Sequence, residues 1–163
     1  MNSFFKTTIN KPETWLVEAA AAIGLDYAGL FHEITNDLIN HSLKRHGDPK
    51  LHGAATVVYA DFERIPDIIK NPDYAVIGTI RNNALINVYI KLYGNMTYLY
   101  FDEVLISRKN KALRGKTLYK ITKPVTLEEV LNNITMNGKT DISKANILNR
   151  KKNVQPAGGN PGG

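Results

Sequence analysis

The chain contains no cysteine. Disulfides, thiolate metal sites and a cysteine nucleophile are therefore excluded. Long apolar runs are lacking as well. The longest, Trp15 to Leu25, is broken by Glu18 and falls short of the roughly 20 residues that a membrane-spanning helix needs. The opening Met1-Asn2-Ser3-Phe4-Phe5-Lys6 has neither the basic start nor the apolar core of a secretory signal. A cleaved signal is not expected, and export as part of a longer chain stays open. Acidic residues are scarce in the last third. Residues 108–163 carry twelve Lys+Arg and three Asp+Glu, a net +9, whereas residues 1–107 carry nine and twelve, a net −3. What is present suits one folded domain: 163 residues, 43% hydrophobic and 22% charged, enough to bury a core. The basic third fits a polyanionic partner such as nucleic acid. A solvated surface with a basic tail accounts for the same charge equally well.

Periodicity divides the chain into a helical part and a strand-rich part. Pro12 and Glu13 open a helix through Ile23, which Gly24 stops. Leu30, Phe31, Ile34 and Leu38 have helical spacing and predict a second helix from about Gly29 to His46, with Gly47 as its cap. Ala54 to Ala60 reads as a short strand, Asp61 as a turn cap, and Ile65, Ile68 and Ile69 as one face of a short helix. Strands are then expected over Ala75–Ile80, Leu85–Leu92, Met96–Ser107 and Lys116–Thr122, joined by short polar turns. Such turns imply antiparallel hairpins. The expected fold is α+β, with N-terminal helices on a four- to five-stranded antiparallel sheet. Thr126-Leu127-Glu128-Glu129 matches a capping box and starts a short helix. The domain is expected to span residues 1–135, followed over 136–163 by a basic, then Gly/Pro-rich disordered tail.

Two groups of residues could carry chemistry. His41-Ser42-Leu43-Lys44-Arg45-His46-Gly47 combines two histidines with two cations. The histidines stand five positions apart, about 140° around a helix, so the pair does not chelate one metal from a regular helix. Proton transfer next to phosphate neutralisation is the reading that uses all four. Structurally, His41 could equally be a histidine at the core edge and His46 a helix cap. The second group lies on strands. Asn87, Tyr89 and Lys91 share one face by alternation, as do Thr117, Tyr119 and Ile121. If these faces coincide, the sheet offers a backbone and an unstacked base a cationic, aromatic surface. An ordinary solvated sheet face has the same pattern.

The order of these motifs resembles a known family. A helix ending in His41…Lys44-Arg45-His46-Gly47 precedes Asp61-Phe62…Ile65-Pro66…Ile68-Ile69…Asn71-Pro72-Asp73. An alternating strand ending in Lys91 follows, then Gly94, Tyr98 to Glu103, and Lys116-Thr117-Leu118-Tyr119-Lys120. Across residues 27 to 122 this is similar to the barnase/EndoU/colicin/RelE-like nucleases, above all the phage-associated members and the toxin tips of polymorphic and contact-dependent systems. The resemblance implies a metal-independent endoribonuclease that uses no cofactor. It attaches catalytic expectations to His41, His46, Lys91, Thr117 and Tyr119. Contacts to nucleic acid are expected from Lys44, Arg45, Tyr89, Arg108, Lys109, Lys111, Arg114, Lys116 and Lys120. The implied partners are RNA, with transfer RNA the first guess, and a cognate inhibitor protein; no membrane is implied. The implied place of action is the cytoplasm of a producing or target cell, reached as part of a larger effector or virion if exported. A non-catalytic nucleic-acid-binding phage accessory or interaction domain is the alternative.

Overall fold

Alternating apolar residues and tight turns build most of a single sheet. The computed structural model describes residues 6–136 and 138–151. Among them, eight strands join one mixed sheet. These are β1 (Lys6–Asn10), β2 (Phe31–Thr35), β3 (Tyr74–Arg81), β4 (Ala84–Tyr93), β5 (Met96–Ile106), β6 (Lys111–Ile121), β7 (Thr140–Asp141) and β8 (Asn146–Asn149). Their order is β1-β2-β6-β5-β4-β3-β7, with β8 also paired to β3. All pairs are antiparallel except β2 with β6, where Phe31 faces Ala112 and Glu33 faces Arg114. Five helices complete the fold: α1 (Thr14–Ala21), α2 (Asn36–His46), α3 (Pro49–His52), α4 (Ile65–Lys70) and α5 (Leu127–Thr135). The class is α+β, as expected. The sheet is wider than four or five strands and is not wholly antiparallel.

Local chemistry explains the turns that shape the hairpins. Asn82 and Asn83 both have positive φ, 51° and 66°. That is the pattern of a two-residue turn matching the twist of its strands, and asparagine tolerates it well. Thr126 and Glu129 cap α5 reciprocally: Thr126 Oγ1 accepts the Glu129 N–H at 3.1 Å and Glu129 Oε1 accepts the Thr126 N–H at 2.9 Å.

Each sheet face carries its own apolar cluster. On one, Leu16, Ala19 and Ala20 of α1 and Ile65, Ile68 and Ile69 of α4 pack with Tyr89, Tyr98, Tyr100, Leu113 and Leu118. On the other, Val130 and Ile134 of α5 pack with Val88, Ile90, Leu99 and Phe101. Here α5 covers only part of the sheet.

Four expectations differ from the structure, the first being the last long strand, which pairs with β5 from Lys111 onward and not only from Lys116. The helix expected from Gly29 is a strand up to Thr35 and becomes helix only at Asn36. Residues 30–34 have helical apolar spacing, but pairing with β1 and β6 selects the strand. The strand expected over Ala54–Ala60 is instead two 3₁₀ turns, Gly53–Ala55 and Tyr59–Arg64. Among the described residues, no strand pairs with this segment. The Asp61 carboxylate takes the Val58 N–H at 2.8 Å, and the His46 carbonyl takes the Val57 N–H at 2.8 Å. Nor does the chain leave the domain at residue 136. Strands β7 and β8 return along β3, Arg150 lies 4.4 Å over the Trp15 ring, and Asn146 donates to the Ala19 carbonyl at 3.0 Å. Strands of two and four residues are too short to show a period. Residues 152–163 lie outside the described part of the chain.

Candidate active site

Helix α2 is placed by a change of neighbour along β6. Strand β2 pairs with β6 only from Ala112 to Arg114. Beyond that point α2 takes its place, and Ser42 Oγ accepts the Leu118 N–H at 2.9 Å. Leu38 and Ser42 turn inward and are buried. Positions four residues apart share a helix face, so Asp37, His41 and Arg45 lie together, and all three line a cleft. The cleft measures about 730 Å³ and opens on the sheet face that α5 leaves uncovered. Its other walls are the β3–β4 turn with Arg81 and Asn82, the strand residues Glu103, Arg114, Lys116, Thr117 and Tyr119, and Asn133 of α5.

A bulge in β6 sets which strand residues reach the cleft. Thr117 pairs with Phe101 and Gly115 with Asp102, so Lys116 is an extra residue between them. The bulge resets the alternation, and Arg114 and Thr117 line one cleft although three positions apart. Gly115 permits the close approach beneath: a Cβ there would stand 2.2 Å from Tyr100 Oη and 2.9 Å from Leu38 Cδ2.

His46 ends α2 and stacks on Tyr119, with centroids 4.9 Å apart and planes 23° from parallel. Tyr119 in turn lies 5.9 Å from Phe101 at 19°, and its hydroxyl donates to Asn133 Oδ1 at 3.1 Å. Gly47 follows His46, and a Cβ there would meet the Leu43 carbonyl oxygen at 2.4 Å. A side chain at residue 47 would therefore disturb the helix end that holds His46. His52 lies beside it at 5.7 Å and contacts the Arg45 carbonyl through Nε2 at 3.0 Å.

Burial is the main cause that lowers the pKa of His46, to about 4, aided by His52, Arg45 and His41. The pKa of His41 is also lowered, first by burial and then by Arg45, Lys116 and Lys44. Both imidazoles are thus neutral at pH 7, and each can accept a proton. Burial pushes Tyr119 up to about 12, against the opposing pull of Arg81, so its phenol stays protonated. Thr117 Oγ1 is buried without a hydrogen-bond partner. Arg114 is paired with Glu33 and Lys116 with Glu103 at 3.5 Å. Arg81 and Arg45 form no salt bridge among the described residues. No group of three or more His, Asp or Glu suited to a metal ion forms among those residues either.

The expected site residues separate into two sets. His41, Arg45, His46, Arg114, Lys116, Thr117 and Tyr119 come together in the cleft. Lys44 is exposed on α2, outside the lining, while Arg108, Lys109 and Lys111 are exposed around the β5–β6 hairpin. Three expectations are corrected. Tyr89 is fully buried and donates to Asp102 Oδ2 at 2.9 Å, so its ring is closed to nucleic acid. Lys91 lies on the same helix-covered face and donates to the Asn71 carbonyl at 2.8 Å, away from the cleft. Lys120 is bound to the buried Asp61 at 3.0 Å. The two strand faces do not coincide: Val88, Phe101 and Thr117 form one row, and Tyr89, Tyr100 and Leu118 form a row on the opposite face. His41 is exposed on the cleft, not placed at the core edge. Arg81 and Asn133 were missed, and neither stands in a motif that marks it.

Residues 10–128 match the family described as phage-Barnase-EndoU-ColicinE5/D-RelE like nuclease3. The chain belongs to this nuclease family. The match covers most of the chain, including the whole of α2 and β6, which carry the cleft's two histidines and Thr117. No curated protein and no solved structure matches the chain. Among the described residues, no helix is long and apolar enough to cross a membrane.

Proposed function

We propose that the protein is an endoribonuclease in which His41 and His46 move the protons of a 2′-OH attack on phosphorus. The observation carrying this reading is the convergence of two neutral imidazoles, an unpartnered buried hydroxyl and the cations Arg45, Arg81 and Lys116 on one cleft. His46 takes the 2′-OH proton. The 2′-oxygen bonds to phosphorus as the P–O5′ bond breaks, and protonated His41 gives its proton to the leaving 5′-oxygen. The product is a 2′,3′-cyclic phosphate, and proton exchange with water resets the pair. A phosphodiester anion opposes the repulsion from Arg45, Lys44 and Lys116, which raises the pKa of His41 and lets it enter the reaction protonated. Arg81 and Lys116 stabilise charge growing on the phosphoryl oxygens, and Thr117 Oγ1 donates to one of them.

The chemistry uses only side chains of this chain, so cleavage is expected to continue in EDTA. The decisive test compares an RNA oligonucleotide with one carrying a single 2′-deoxy substitution at the cut position. The expected result is a cyclic phosphate end from the first and no cut in the second. Cleavage of both, or loss of activity in EDTA with recovery on adding a divalent metal, would overturn the mechanism. Binding without any cleavage would favour a non-catalytic module. Transfer RNA is the first natural substrate to try, and toxicity on expression in bacteria tests the effector role.

A further inference from the structure

The sheet continues beyond the cleft in a row that belongs to neither apolar cluster. Phe31 on β2, Ala112 on β6 and Leu105 on β5 lie side by side. Alternation puts Phe31 on the face of Glu33 and Thr35, because His32 points the other way, its ring 6.1 Å from Tyr89 in the helix-covered core. Thr35 lines the cleft. It lies four residue steps from Phe31, about 13 Å at the usual rise, within reach of a short oligonucleotide. Phe31 is 44% exposed. A ring so open at the end of a strand contributes little to the core.

Its neighbourhood is basic. The hairpin beyond this row carries Arg108, Lys109 and Lys111, all exposed and free of salt bridges among the described residues. The turn is held in shape, as the Asn110 N–H donates to Ser107 Oγ at 3.0 Å. Between row and cleft, Arg114 is neutralised by Glu33 and Lys116 is paired with Glu103. Along the row itself, the cations without a salt-bridge partner are therefore those of the hairpin, as Arg45 and Arg81 are those of the cleft.

From this arrangement we infer that Phe31 is the floor of a second nucleotide subsite. A single RNA strand engaged in the cleft continues over β2 and β6 toward the β5–β6 hairpin. One base stacks on the Phe31 ring, and the phosphates that follow meet Arg108 and Lys109 of the hairpin turn. An exposed aromatic ring beside unpaired cations is the combination that holds single strands without reading a particular base. The inference rests on the cleft being the RNA site, and it specifies the substrate as a single-stranded segment longer than the cut dinucleotide.

The test measures binding of an RNA dinucleotide and of an unstructured decamer to the full chain carrying His46→Ala, which prevents turnover. Phe31→Leu keeps an apolar side chain and removes the ring. It is expected to weaken decamer binding roughly ten- to a hundredfold and to leave dinucleotide binding unchanged. Phe31→Trp should tighten decamer binding beyond that of the parent. Arg108→Glu should weaken the decamer and flatten its salt dependence. Equal decamer binding by Phe31→Leu and its parent overturns the subsite, as does an equal loss for both lengths. Failure of the parent to bind either RNA overturns the cleft reading together with the subsite. Should Phe31→Leu melt early, the decamer-to-dinucleotide affinity ratio of Phe31→Trp decides, because a purely structural role predicts no change in that ratio.

Discussion

The two faces of the sheet engage most of their polar groups differently, although the covered face also buries the Tyr100 hydroxyl and both His32 ring nitrogens without hydrogen-bond partners among the described residues. On the helix-covered face, Asp102 is fully buried and accepts from Asn87 Nδ2 at 2.8 Å and Tyr89 Oη at 2.9 Å. Asn87 Oδ1 accepts in turn from Tyr27 Oη at 2.8 Å and the Gly78 N–H at 3.0 Å. Burial raises the Tyr89 pKa well above its ordinary value, and the Asp102 charge raises it further. Further along the same face, Asp61 accepts from Tyr98 Oη at 2.6 Å and pairs with Lys120. On the cleft face, Thr117 Oγ1 has no partner, and Arg45 and Arg81 form no salt bridge among the described residues. Polar groups that bind one another support a fold; polar groups left open on a concave surface are available to a ligand. Tyr89 and Tyr119 belong to the same residue type and the same sheet, and only the second reaches the cleft.

Substitutions on the two faces should therefore fail differently. The largest effect is expected from His46→Ala, with RNA cleavage falling roughly a hundred- to ten-thousandfold while the melting temperature changes little. Cleavage at the parent rate would remove His46 from the chemistry. Next comes Asp102→Leu on the covered face. It leaves the Asn87 amide and the Tyr89 hydroxyl unpaired in the core, and chemical denaturation should show a loss of about 3 kcal/mol or more. Gly115→Ala crowds Tyr100 and Leu38 and is expected to cost about 1–3 kcal/mol.

Smaller effects sharpen the contrast. Thr117→Val keeps the shape and deletes a hydroxyl with no protein partner. The expected outcome is a rate loss of about tenfold with stability unchanged or slightly raised; a clear drop in stability would make Thr117 structural. Lys91→Ala should leave cleavage at the parent rate, because its ammonium is engaged away from the cleft.

The histidines also give the cleft a pH signature. In the unfolded chain His46 takes up a proton near its ordinary pKa of 6.5, whereas in the fold it does so only near 4. Between these values the unfolded state binds the extra proton, so stability falls as pH drops through this window and levels off below it. His41 acts in the same direction. Melting curves from pH 7 to pH 4 should show the decline, reduced in His46→Gln. RNA binding opposes this shift, so affinity should rise and protons be taken up as pH falls from 7 toward 5.

Strands β3, β4 and β5, the second half of β6, the Asn82-Asn83 turn, the capping box of α5 and the His41–Gly47 cluster were legible in the sequence. Each depends on neighbours within a few residues, where side-chain period, left-handed turn preference and cap chemistry act directly. The tertiary structure decided which face of the sheet each strand residue meets. Alternation correctly grouped Asn87 with Tyr89 and Lys91, and Thr117 with Tyr119, but pairing with β5 placed the two groups on opposite sides. The bulge at Lys116 then put Arg114 and Thr117 in one cleft, and the turn at Asn82-Asn83 brought in Arg81. Residues 30–34 carry helical apolar spacing, and only pairing with β1 and β6 made them a strand. Local preference acts along the chain, whereas a cleft is made by partners tens of residues apart, whose register is set by burial of the whole sheet.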